Sequence, residues 1–394
     1  MSGLCLEAVQ EWQHELALLS KRLAPRFVRA EPRKRSLAYL RGLLAPLERR
    51  NGWQLAEHAG ERTPDGMQRL LSTAEWNADD VRDDLRCYVL DHLGPGGVLV
   101  VDKTGFIKKG TKSAGVKRQY SGTAGGIDNC QLGVFLAYTT EHGSAFIDRE
   151  LFLPQEWVND NSRRDAARIP QERVFQTKAE LGLAMIERAL NAEVKPAWVT
   201  GDSVYSAAAL RRSLEARQQP YVLATATNAV LRFLENNRLR IAELPELFAE
   251  LGKSSWQRRS AGVGSKGERE FDWAWISFRS LGLTDDLRPA NASGFDKWIL
   301  ARRSVDKPEE MAYYRVFAPI GTTLDEVVRA AGTRWSIEVG FEQAKNDAGL
   351  DEYEVRSWVG WHRHVTLSLF AYALLVAVRA GHKKGAFGEA TSSR

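Results

Sequence analysis

Apolar residues recur every three or four positions through the first 95 residues, as in LEAVQEWQHELALLSKRLA near the start. This spacing predicts amphipathic helices. The same spacing in RTPDGMQRLLSTAEWNADDVRDDLRCYVLDHLG predicts two helices around a short break. We therefore expect a helical N-terminal domain over residues 1–95. A DNA-binding bundle and a structural cap are equally compatible with it, since no helix-turn-helix signature is present.

The pattern changes at Gly96, where GGVLVVD is a glycine-bounded run of β-branched and apolar residues typical of a buried strand. Two extended runs follow, CQLGVFLAYTT and SAFIDRELFLP, and EHG between them predicts a hairpin. Helices are then predicted in FQTKAELGLAMIERALNA and AAALRRSLEARQ, and strands in AWVTGD and PYVLATAT. The predicted order is three strands, a helix, a strand, a helix and a strand.

This order resembles the ribonuclease H-like fold, a mixed α/β fold whose sheet carries helices on both faces. We assign residues 96–228 to the first part of such a core. Residues 229–315, with short strands in REFDWAWISFRS, KWILARRS and MAYYRVFAP, are interpreted as a β-rich insertion. The helical residues 316–380 would complete the core, and 381–394 are expected to be a tail.

Composition supports a globular chain, because 44% of its 394 residues are hydrophobic and 27% are charged. The first 50 residues contain ten Lys or Arg and five Glu, which accounts for the whole net charge of +5. A basic amino end is suited to binding a polyanion. A solvated helical face explains the same residues equally well.

Several classes of protein are excluded by the remaining composition. Cys5, Cys87 and Cys130 contain no CxxC pair, so neither a zinc ribbon nor a disulfide scaffold is indicated. The first residues carry glutamates where a signal peptide needs a basic flank and an apolar run. The apolar stretch over 367–378 is too short to span a bilayer. We expect a cytoplasmic protein without a membrane partner.

Two aspartates, Asp102 and Asp202, are each predicted to end a buried strand. The carboxyl ends of parallel strands in an α/β sheet form the crevice in which ligands bind. Two neighbouring carboxylates repel each other unless a cation lies between them, and Mg²⁺ or Mn²⁺ prefers such oxygen ligands. The alternative is that each aspartate caps the turn after its strand.

A third carboxylate, Glu338, stands four residues after Arg334 and seven before Lys345 in a predicted helix. At about 3.6 residues per turn the three lie on one stripe of that helix. The adjoining apolar stripe consists of Ile337, Phe341, Ala344 and Ala348. An ordinary surface pair of Arg334 and Glu338 would have the same spacing.

The spacing R-x3-E-x6-K resembles the Y-R-E-K signature of the DDE transposases encoded by bacterial insertion sequences. Ala331 occupies the position of the signature's tyrosine. The stretches DKTGFIKKGTKSAGVKRQYSG and EYEVRSWVGWHRH also resemble one branch of these enzymes. The resemblance covers roughly residues 60–375, and it selects Glu338 rather than Glu342.

The resemblance implies a cut-and-paste transposase that acts as a homodimer on the terminal inverted repeats of its element and on target DNA. It further implies two Mg²⁺ ions, replaceable by Mn²⁺, held by Asp102, Asp202 and Glu338, with Asp102 bridging them. One alternative is a ribonuclease H-fold nuclease that never joins DNA ends. Another is a non-catalytic DNA-binding regulator derived from a transposase, although the presence of all three carboxylates argues against it.

A basic loop after Asp102 is expected to follow DNA phosphates, although a solvated turn is the alternative. Its cations are Lys103, Lys108, Lys109, Lys112, Lys117 and Arg118. By the resemblance, Arg334 and Lys345 would contact phosphates beside the scissile bond. The basic surface would be extended by Arg356, His362, Arg363 and His364.

Tryptophans in the predicted insertion are candidates for stacking on a base flipped out near the cut, as in related transposases. Strand alternation places Trp273 and Trp275 on one face, where a core position is expected. Trp256 lies in the more polar SSWQRR and is the preferred stacking candidate.

Overall fold

The computed structural model describes residues 6–235, 238–264, 267–278 and 294–392, so that Cys5 lies outside it. The helices are α1 (Leu6–Leu23), α2 (Ala30–Leu44), α3 (Gly52–His58), α4 (Asp65–Ser72), α5 (Ala78–Leu93), α6 (Gln155–Val158), α7 (Asn161–Ala166), α8 (Lys178–Asn191), α9 (Ala208–Ala216), α10 (Leu244–Ala249), α11 (Leu324–Thr333), α12 (Trp335–Ala348) and α13 (Trp358–Ser392). The strands are β1 (Val98–Ile107), β2 (Lys117–Ser121), β3 (Gly126–Thr140), β4 (Gly143–Leu151), β5 (Trp198–Gly201), β6 (Tyr221–Thr225), β7 (Val230–Glu235), β8 (Arg238–Glu243), β9 (Gln257–Gly264), β10 (Gly267–Ser277), β11 (Phe295–Ser304) and β12 (Met311–Pro319).

The chain divides into two compact units. The first comprises Met1–Pro95, Lys103–Thr177 and Glu338–Arg394, and the second comprises Gly96–Asp102 and Lys178–Ile337. Strand β1 and helix α12 each contribute residues to both units. Two of the boundaries between the units therefore fall inside a strand or a helix, whereas the one at Lys178 coincides with the start of α8.

Helix α13 forms the centre of the first unit, where it packs against β4, α5, α2 and α4. Its residues 358–381 are long and apolar enough by composition to cross a membrane, but 83% of the most apolar window is buried inside the protein. A helix that is apolar on all sides is expected at the centre of a core. The helix is also longer than the apolar run seen in the sequence, and it continues to Ser392, where a tail is predicted from residue 381.

The first unit has its own group of strands. β3 pairs with β2 through its first residues and with β4 through its later ones, while β1 lies on the other side of β3. β1 continues to Ile107 and β2 begins at Lys117, so that only residues 108–116 connect the two. The prediction of one basic loop from Asp102 to Tyr120 is therefore wrong at both ends.

The second unit is built on a mixed sheet with the strand order β1-β5-β6-β12-β11-β10-β9. β1, β5 and β6 are parallel, and β12 pairs antiparallel with β6. The order β4-β3-β1 in the first unit and β1-β5-β6 in the second is that of a ribonuclease H-like fold. The predicted mixed α/β fold with a helical N-terminal region is confirmed.

Two apolar clusters cover the two faces of this sheet. Adjacent residues of β11, Ile299 and Leu300, belong to different clusters because side chains alternate along a strand. Helix α11 closes the cluster around Leu300, and β7, β8 and α10 close the one around Ile299. The predicted insertion therefore has two structural roles. Strands β9 to β12 extend the sheet from β6, and β7, β8 and α10 cover the face that contains Ile299.

A buried arginine joins three elements of the first unit. Arg149 of β4 has 0% of its surface exposed. It donates hydrogen bonds to Thr366 of α13 at 2.8 Å and to Asp79 of α5 at 2.9 Å. Burial opposes the Asp79 charge, but Arg149 and Arg82 hold the pKa of that carboxyl well below its usual range. The ion pair with Asp79 therefore fixes α5 against β4, and the hydrogen bond to Thr366 fixes α13 against it.

Two histidines of α13 are buried in the neutral form. His364 donates through Nε2 to the Gly349 carbonyl at 3.1 Å and accepts through Nδ1 from the Tyr39 hydroxyl at 2.8 Å. His362 donates through Nδ1 to the Trp358 carbonyl at 2.9 Å. Burial lowers the pKa of His362 to about 4, with the charge of Arg149 adding to the effect, and burial lowers the pKa of His364 to about 3.

These histidines predict acid destabilisation. Both are neutral in the folded protein and take up protons on unfolding, so the free energy of unfolding should fall as the pH falls from about 6.5 to about 4. Each contributes about 1.4 kcal/mol per pH unit in this window. Urea denaturation at several pH values measures this effect. The free energy of unfolding should depend less on pH in His362→Gln than in wild type. In the control His58→Gln, which changes an exposed histidine, the pH dependence should equal that of wild type. Equal curves for wild type and His362→Gln would contradict the assignment.

Candidate active site

Asp102 lies in β1 of the second unit, directly after the residues that pair with β5. That pairing is parallel and runs from Val98 opposite Trp198 to Val101 opposite Gly201. The strand continues beyond Asp102, so the prediction that this residue ends the strand is wrong. Asp102 is instead the first residue of β1 after the pairing with β5. Its side chain is 12% exposed.

A glycine allows β5 to approach β1 closely at this point. A Cβ atom on Gly201 would lie 2.8 Å from Val101 Cγ1 and 3.3 Å from Tyr205 Cβ. Contacts below about 3 Å require the neighbouring atoms to move. Gly201 therefore brings the end of β5 next to the residue that precedes Asp102.

Asp202 follows β5 immediately and caps a short 3₁₀ turn, Ser203–Tyr205. Its Oδ1 accepts a hydrogen bond of 2.8 Å from the Val204 backbone N–H. The capping alternative considered from the sequence is thus correct for this residue. The same bond fixes the orientation of the carboxylate, which a ligand-binding group also requires.

Tyr205 lies at the end of that turn and is fully buried. Burial raises the pKa of its hydroxyl well above the usual value, and the charges of Asp102 and Asp202 raise it further. Both carboxylates therefore act on one phenol inside the second unit. Sequence reasoning missed this residue, because a single aromatic in a turn has no periodic signal.

Arg334 forms an ion pair with Asp102, with 3.4 Å between Nη1 and Oδ2. It lies between α11 and α12, since the first ends at Thr333 and the second begins at Trp335. The prediction that Arg334, Glu338 and Lys345 share one continuous helix is therefore wrong for Arg334. Its backbone conformation is still that of a right-handed helix.

The end of α11 is held by contacts that the sequence did not indicate. A Cβ atom on Gly332 would lie 2.2 Å from the Ala261 carbonyl oxygen, so only glycine allows α11 to meet β9 there. Arg269 donates to the carbonyls of Ala261 and Gly332. Ala331, at the tyrosine position of the signature, is buried in the same core. These contacts fix the segment from which Arg334 projects.

Glu338 lies in the part of α12 that belongs to the first unit. It is half-buried, whereas Glu342 one turn later is exposed. The predicted apolar stripe is confirmed, because all four of its residues are buried, namely Ile337, Phe341, Ala344 and Ala348. The rings of Phe341 and Phe146 stack with centroids 5.0 Å apart. This packing holds the helix that carries Glu338.

Lys345 is bonded inside the first unit. Its Nζ donates to the Gly105 carbonyl at 3.2 Å and to Thr123 Oγ1 at 3.1 Å. Burial lowers the pKa of this amine. The bonds tie α12 to β1, and a phosphate contact by Lys345 stays a prediction.

The donor chemistry of Asp102 and Asp202 fits a divalent ion such as Mg²⁺ or Mn²⁺, which takes carboxylate oxygens. Both aspartates lie at the β1 and β5 edge of the second unit, and the cation Arg334 already contacts one of them. Over residues 6–235, 238–264, 267–278 and 294–392, no three His, Cys, Asp or Glu side chains form a metal-binding group. Of the three predicted metal ligands, Asp102 and Asp202 belong to the second unit and Glu338 belongs to the first.

Several predicted DNA contacts line a cleft of about 920 Å³ in the first unit. We call it the basic cleft and define it by Arg50, Gln68, Lys108, Lys109, Lys112 and Arg356. Lys109, Lys112 and Arg356 are exposed. Arg50 is paired with Glu352 at 2.6 Å. The N-terminal helices, the segment after β1 and the segment before α13 each contribute one wall.

The segment after β1 is held in place by Asn129 of β3. Its side-chain amide donates to the carbonyls of Lys108 and Gly110, the latter at 3.0 Å. Lys108 Nζ lies 3.4 Å from the centre of the Tyr353 ring and donates to the Tyr353 carbonyl at 3.2 Å. Burial lowers the pKa of Lys108 to about 8. Lys108 therefore forms the base of the cleft.

The other predicted cations of this region lie elsewhere. Lys117 forms an ion pair with Glu156 at 2.7 Å. Arg118 is exposed on β2, and Lys103 is half-buried in β1. DNA contacts by these three residues stay predictions.

The structure corrects the prediction for His362, Arg363 and His364, which are buried in α13. Arg363 donates to the carbonyls of Leu70 at 3.4 Å, Ala74 at 2.6 Å and Trp76 at 2.7 Å. Basic residues at the start of a core helix must have polar partners inside the protein. These three side chains therefore serve the core and have no surface to offer to DNA.

Trp273 and Trp275 contribute to the cluster around Leu300, as expected, whereas Trp256 packs against the cluster around Ile299. Trp273 is 1% exposed, and Trp275 stacks on Trp298 with 5.5 Å between ring centroids. Trp256 is partly buried, and the Arg303 guanidinium lies 4.2 Å from the centre of its ring. A cation already covers this ring, and stacking of a base on Trp256 stays a prediction.

Comparison with known proteins shows the family to which the chain belongs. Residues 22–242 match the family described as DDE superfamily endonuclease, which is more than half of the 394 residues. The chain belongs to the DDE superfamily endonucleases. The endonuclease is also 23% identical over 321 residues to a protein of Microchaete diplosiphon named "Probable transposase for insertion sequence element IS701". That similarity covers 80% of this chain and 74% of the relative.

The two findings confirm the resemblance to the DDE transposases of insertion sequences. The family match includes Asp102 and Asp202 and ends before Glu338. A catalytic role for the two aspartates of this endonuclease stays a prediction.

The buried position of Arg363 predicts a loss of stability on mutation. Arg363→Met would leave three carbonyls without their donor, and we expect the free energy of unfolding to fall by roughly 3 kcal/mol. Arg356→Met, on the exposed side, is the matched control and should unfold like wild type. Chemical denaturation measures both. A stable Arg363→Met that binds DNA weakly would contradict the core role.

Proposed function

We propose that this endonuclease is a cytoplasmic transposase that cuts DNA at the terminal inverted repeats of its own element and joins the freed ends to target DNA. It would act as a homodimer in a cut-and-paste reaction. One observation carries the proposal. Asp102 and Asp202 are the residues that directly follow the last parallel pair of β1 and β5. The name of the Microchaete diplosiphon relative supports the same activity.

Asp102, Asp202 and Glu338 would hold two Mg²⁺ ions, or Mn²⁺ in their place, with Glu338 assigned from the transposase signature. When bound, such ions stabilise the negative charge on the attacking and leaving oxygens of an in-line displacement. The bond from Val204 N–H to Asp202 would keep one of these carboxylates in a fixed orientation.

Both chemical steps are displacements at phosphorus. In cleavage, the oxygen of water bonds to phosphorus, the bond to the 3′ oxygen breaks, and a proton ends on that 3′ oxygen. In joining, the oxygen of the freed 3′ hydroxyl bonds to a target phosphorus and loses its proton, the bond to the target strand's 3′ oxygen breaks, and a proton ends on that oxygen. Arg334 lies 3.4 Å from Asp102 and would bind the phosphate that approaches this carboxylate.

The basic cleft would bind the DNA backbone. Lys109, Lys112 and Arg356 present three exposed cations around one space, and the phosphates of DNA are their natural counter-charge. Gln68 of α4 lines the opposite wall. Helices of the N-terminal region would thus share in DNA binding, which favours the DNA-binding alternative over a simple cap.

A nuclease that never joins ends is the second candidate, because the family description names endonuclease activity alone. A reaction supplied with pre-cut 3′ ends and a plasmid target separates the two candidates. Joined products are expected from a transposase only.

The carboxylate assignment predicts the behaviour of three variants. Asp102→Asn and Glu338→Gln should abolish Mg²⁺-dependent cleavage of end-containing DNA and joining of pre-cut ends, because each removes a ligand charge. DNA binding should persist in both. Glu342→Gln, one helical turn beyond Glu338 and exposed, is the control and should cleave and join normally. Full cleavage by Asp102→Asn would contradict the assignment of Asp102 as a metal ligand.

The basic cleft predicts a change in salt dependence. The double variant Lys109→Ala and Lys112→Ala should reduce the slope of log affinity against log salt by about 2, because each lost phosphate contact removes about 0.9. Fluorescence anisotropy with labelled end DNA measures this slope. Lys195→Ala, an exposed lysine of the second unit, should keep it. An unchanged slope in the double variant would remove the cleft from the proposal.

A further inference from the structure

The lining of the basic cleft contains an exposed glutamine, Gln68 of α4. Its side-chain amide forms no hydrogen bond with any residue that the structure describes. Two neighbouring polar groups are already used inside the protein. Asn51 Oδ1 accepts from the backbone N–H groups of Trp53 and Gln54. The Ser72 hydroxyl donates to the Gln68 carbonyl at 2.7 Å. The Gln68 amide is therefore a neutral donor and acceptor that the cleft can offer to a ligand.

The helix that carries Gln68 is held by its opposite side. Met67, Leu70 and Leu71 of α4 are all buried. Across the cleft wall, a Cβ atom on Gly52 would lie 3.6 Å from Gln68 Cγ and 3.9 Å from its Nε2. The amide is thus carried by a fixed backbone, and its stem lies along the start of α3.

The charge of the cleft selects a polyanion as the ligand. Five cationic side chains line the cleft, against the two carboxylates of Glu352 and Glu354. Three of the cations, Lys109, Lys112 and Arg356, are exposed, and none of them forms an ion pair within the described part of the chain. The phosphates of DNA supply the missing counter-charge. Such contacts hold a duplex in place without reading its sequence.

We propose that Gln68 determines the sequence preference of DNA binding in the basic cleft. The cations bind phosphates, and the Gln68 amide contacts the edge of an adenine in the major groove. Its N–H donates to adenine N7, and its oxygen accepts from the adenine N6 amino group. Lysine and arginine cannot form this pair, because neither carries an acceptor. The inference rests on the proposed function, since it takes the basic cleft as a DNA-binding surface.

The test is selection of duplexes from a pool of randomised DNA by the full chain, without divalent metal so that no strand is cut. At one position wild type should prefer A·T, with an affinity about 5- to 150-fold above that for other pairs in fluorescence anisotropy. Gln68→Ala should lose this preference and keep the preferences at other positions. Its slope of log affinity against log salt should equal that of wild type, because no cation is removed.

A second variant should change the preference rather than remove it. Gln68→Glu keeps the size of the side chain but replaces the amide by a carboxylate, which can only accept. At the same position the preferred base should change from adenine to cytosine, whose N4 amino group is a donor in the major groove. A loss of folding could not produce such a change of base.

Two controls separate base reading from other effects. Gln13→Ala removes an exposed glutamine of α1 that does not line the cleft, and it should select the same sequences as wild type. The double variant Lys109→Ala and Lys112→Ala should weaken binding to all selected sequences alike and lower the salt slope by about 2. The unfolding temperature of Gln68→Ala should not fall, because alanine favours an exposed helix position.

Different outcomes would count against different statements. If Gln68→Ala selected the same sequences as wild type while the double lysine variant lowered the salt slope, the role of Gln68 would be overturned and the cleft would remain a DNA-binding surface. A wild-type protein that selected no sequence would also overturn the role of Gln68. An unchanged salt slope in the double lysine variant would overturn DNA binding in the cleft and, with it, the inference about Gln68.

Discussion

The close approach of β5 to β1 is the constraint on which the candidate site depends. Parallel pairing ends with Val101 opposite Gly201, and a methyl group on that glycine would meet the Val101 side chain at 2.8 Å. Asp102 and Asp202 are the residues that follow this pair along the chain, Asp102 within β1 and Asp202 directly after β5. The packing of the two backbones therefore sets the positions of the two aspartates. The surrounding sheet keeps them there although their negative charges repel each other.

Much of the fold could be predicted because its main strands are buried on both faces. Continuous apolar runs such as GGVLVVD and AWVTGD are visible without any structure, and so are the carboxylates that follow them. The extension of β1 past Asp102 was not predictable in this way, since DKTGFI mixes polar and apolar residues. The break at Arg334 also leaves no mark on the apolar spacing of α11 and α12.

Charged residues were the main source of error, because composition does not say which cations are structural. Arg363 and Lys109 are both basic, yet one donates to three carbonyls in the core and the other is exposed at the cleft. The signal that was available is the character of α13, whose apolar residues occupy every face. A basic side chain at the start of such a helix has to be buried together with its partners. Tyr205 had no comparable signal, since its environment is created by the turn after Asp202.

The bonds from Asn129 to the carbonyls of Lys108 and Gly110 have an entropic consequence. They hold the segment after β1 in one conformation before any ligand arrives, so binding in the basic cleft need not pay for ordering that backbone. If the proposed DNA binding takes place there, its affinity would depend on a side chain that touches no phosphate. Asn129 would then influence recognition through the number of conformations available to the free protein.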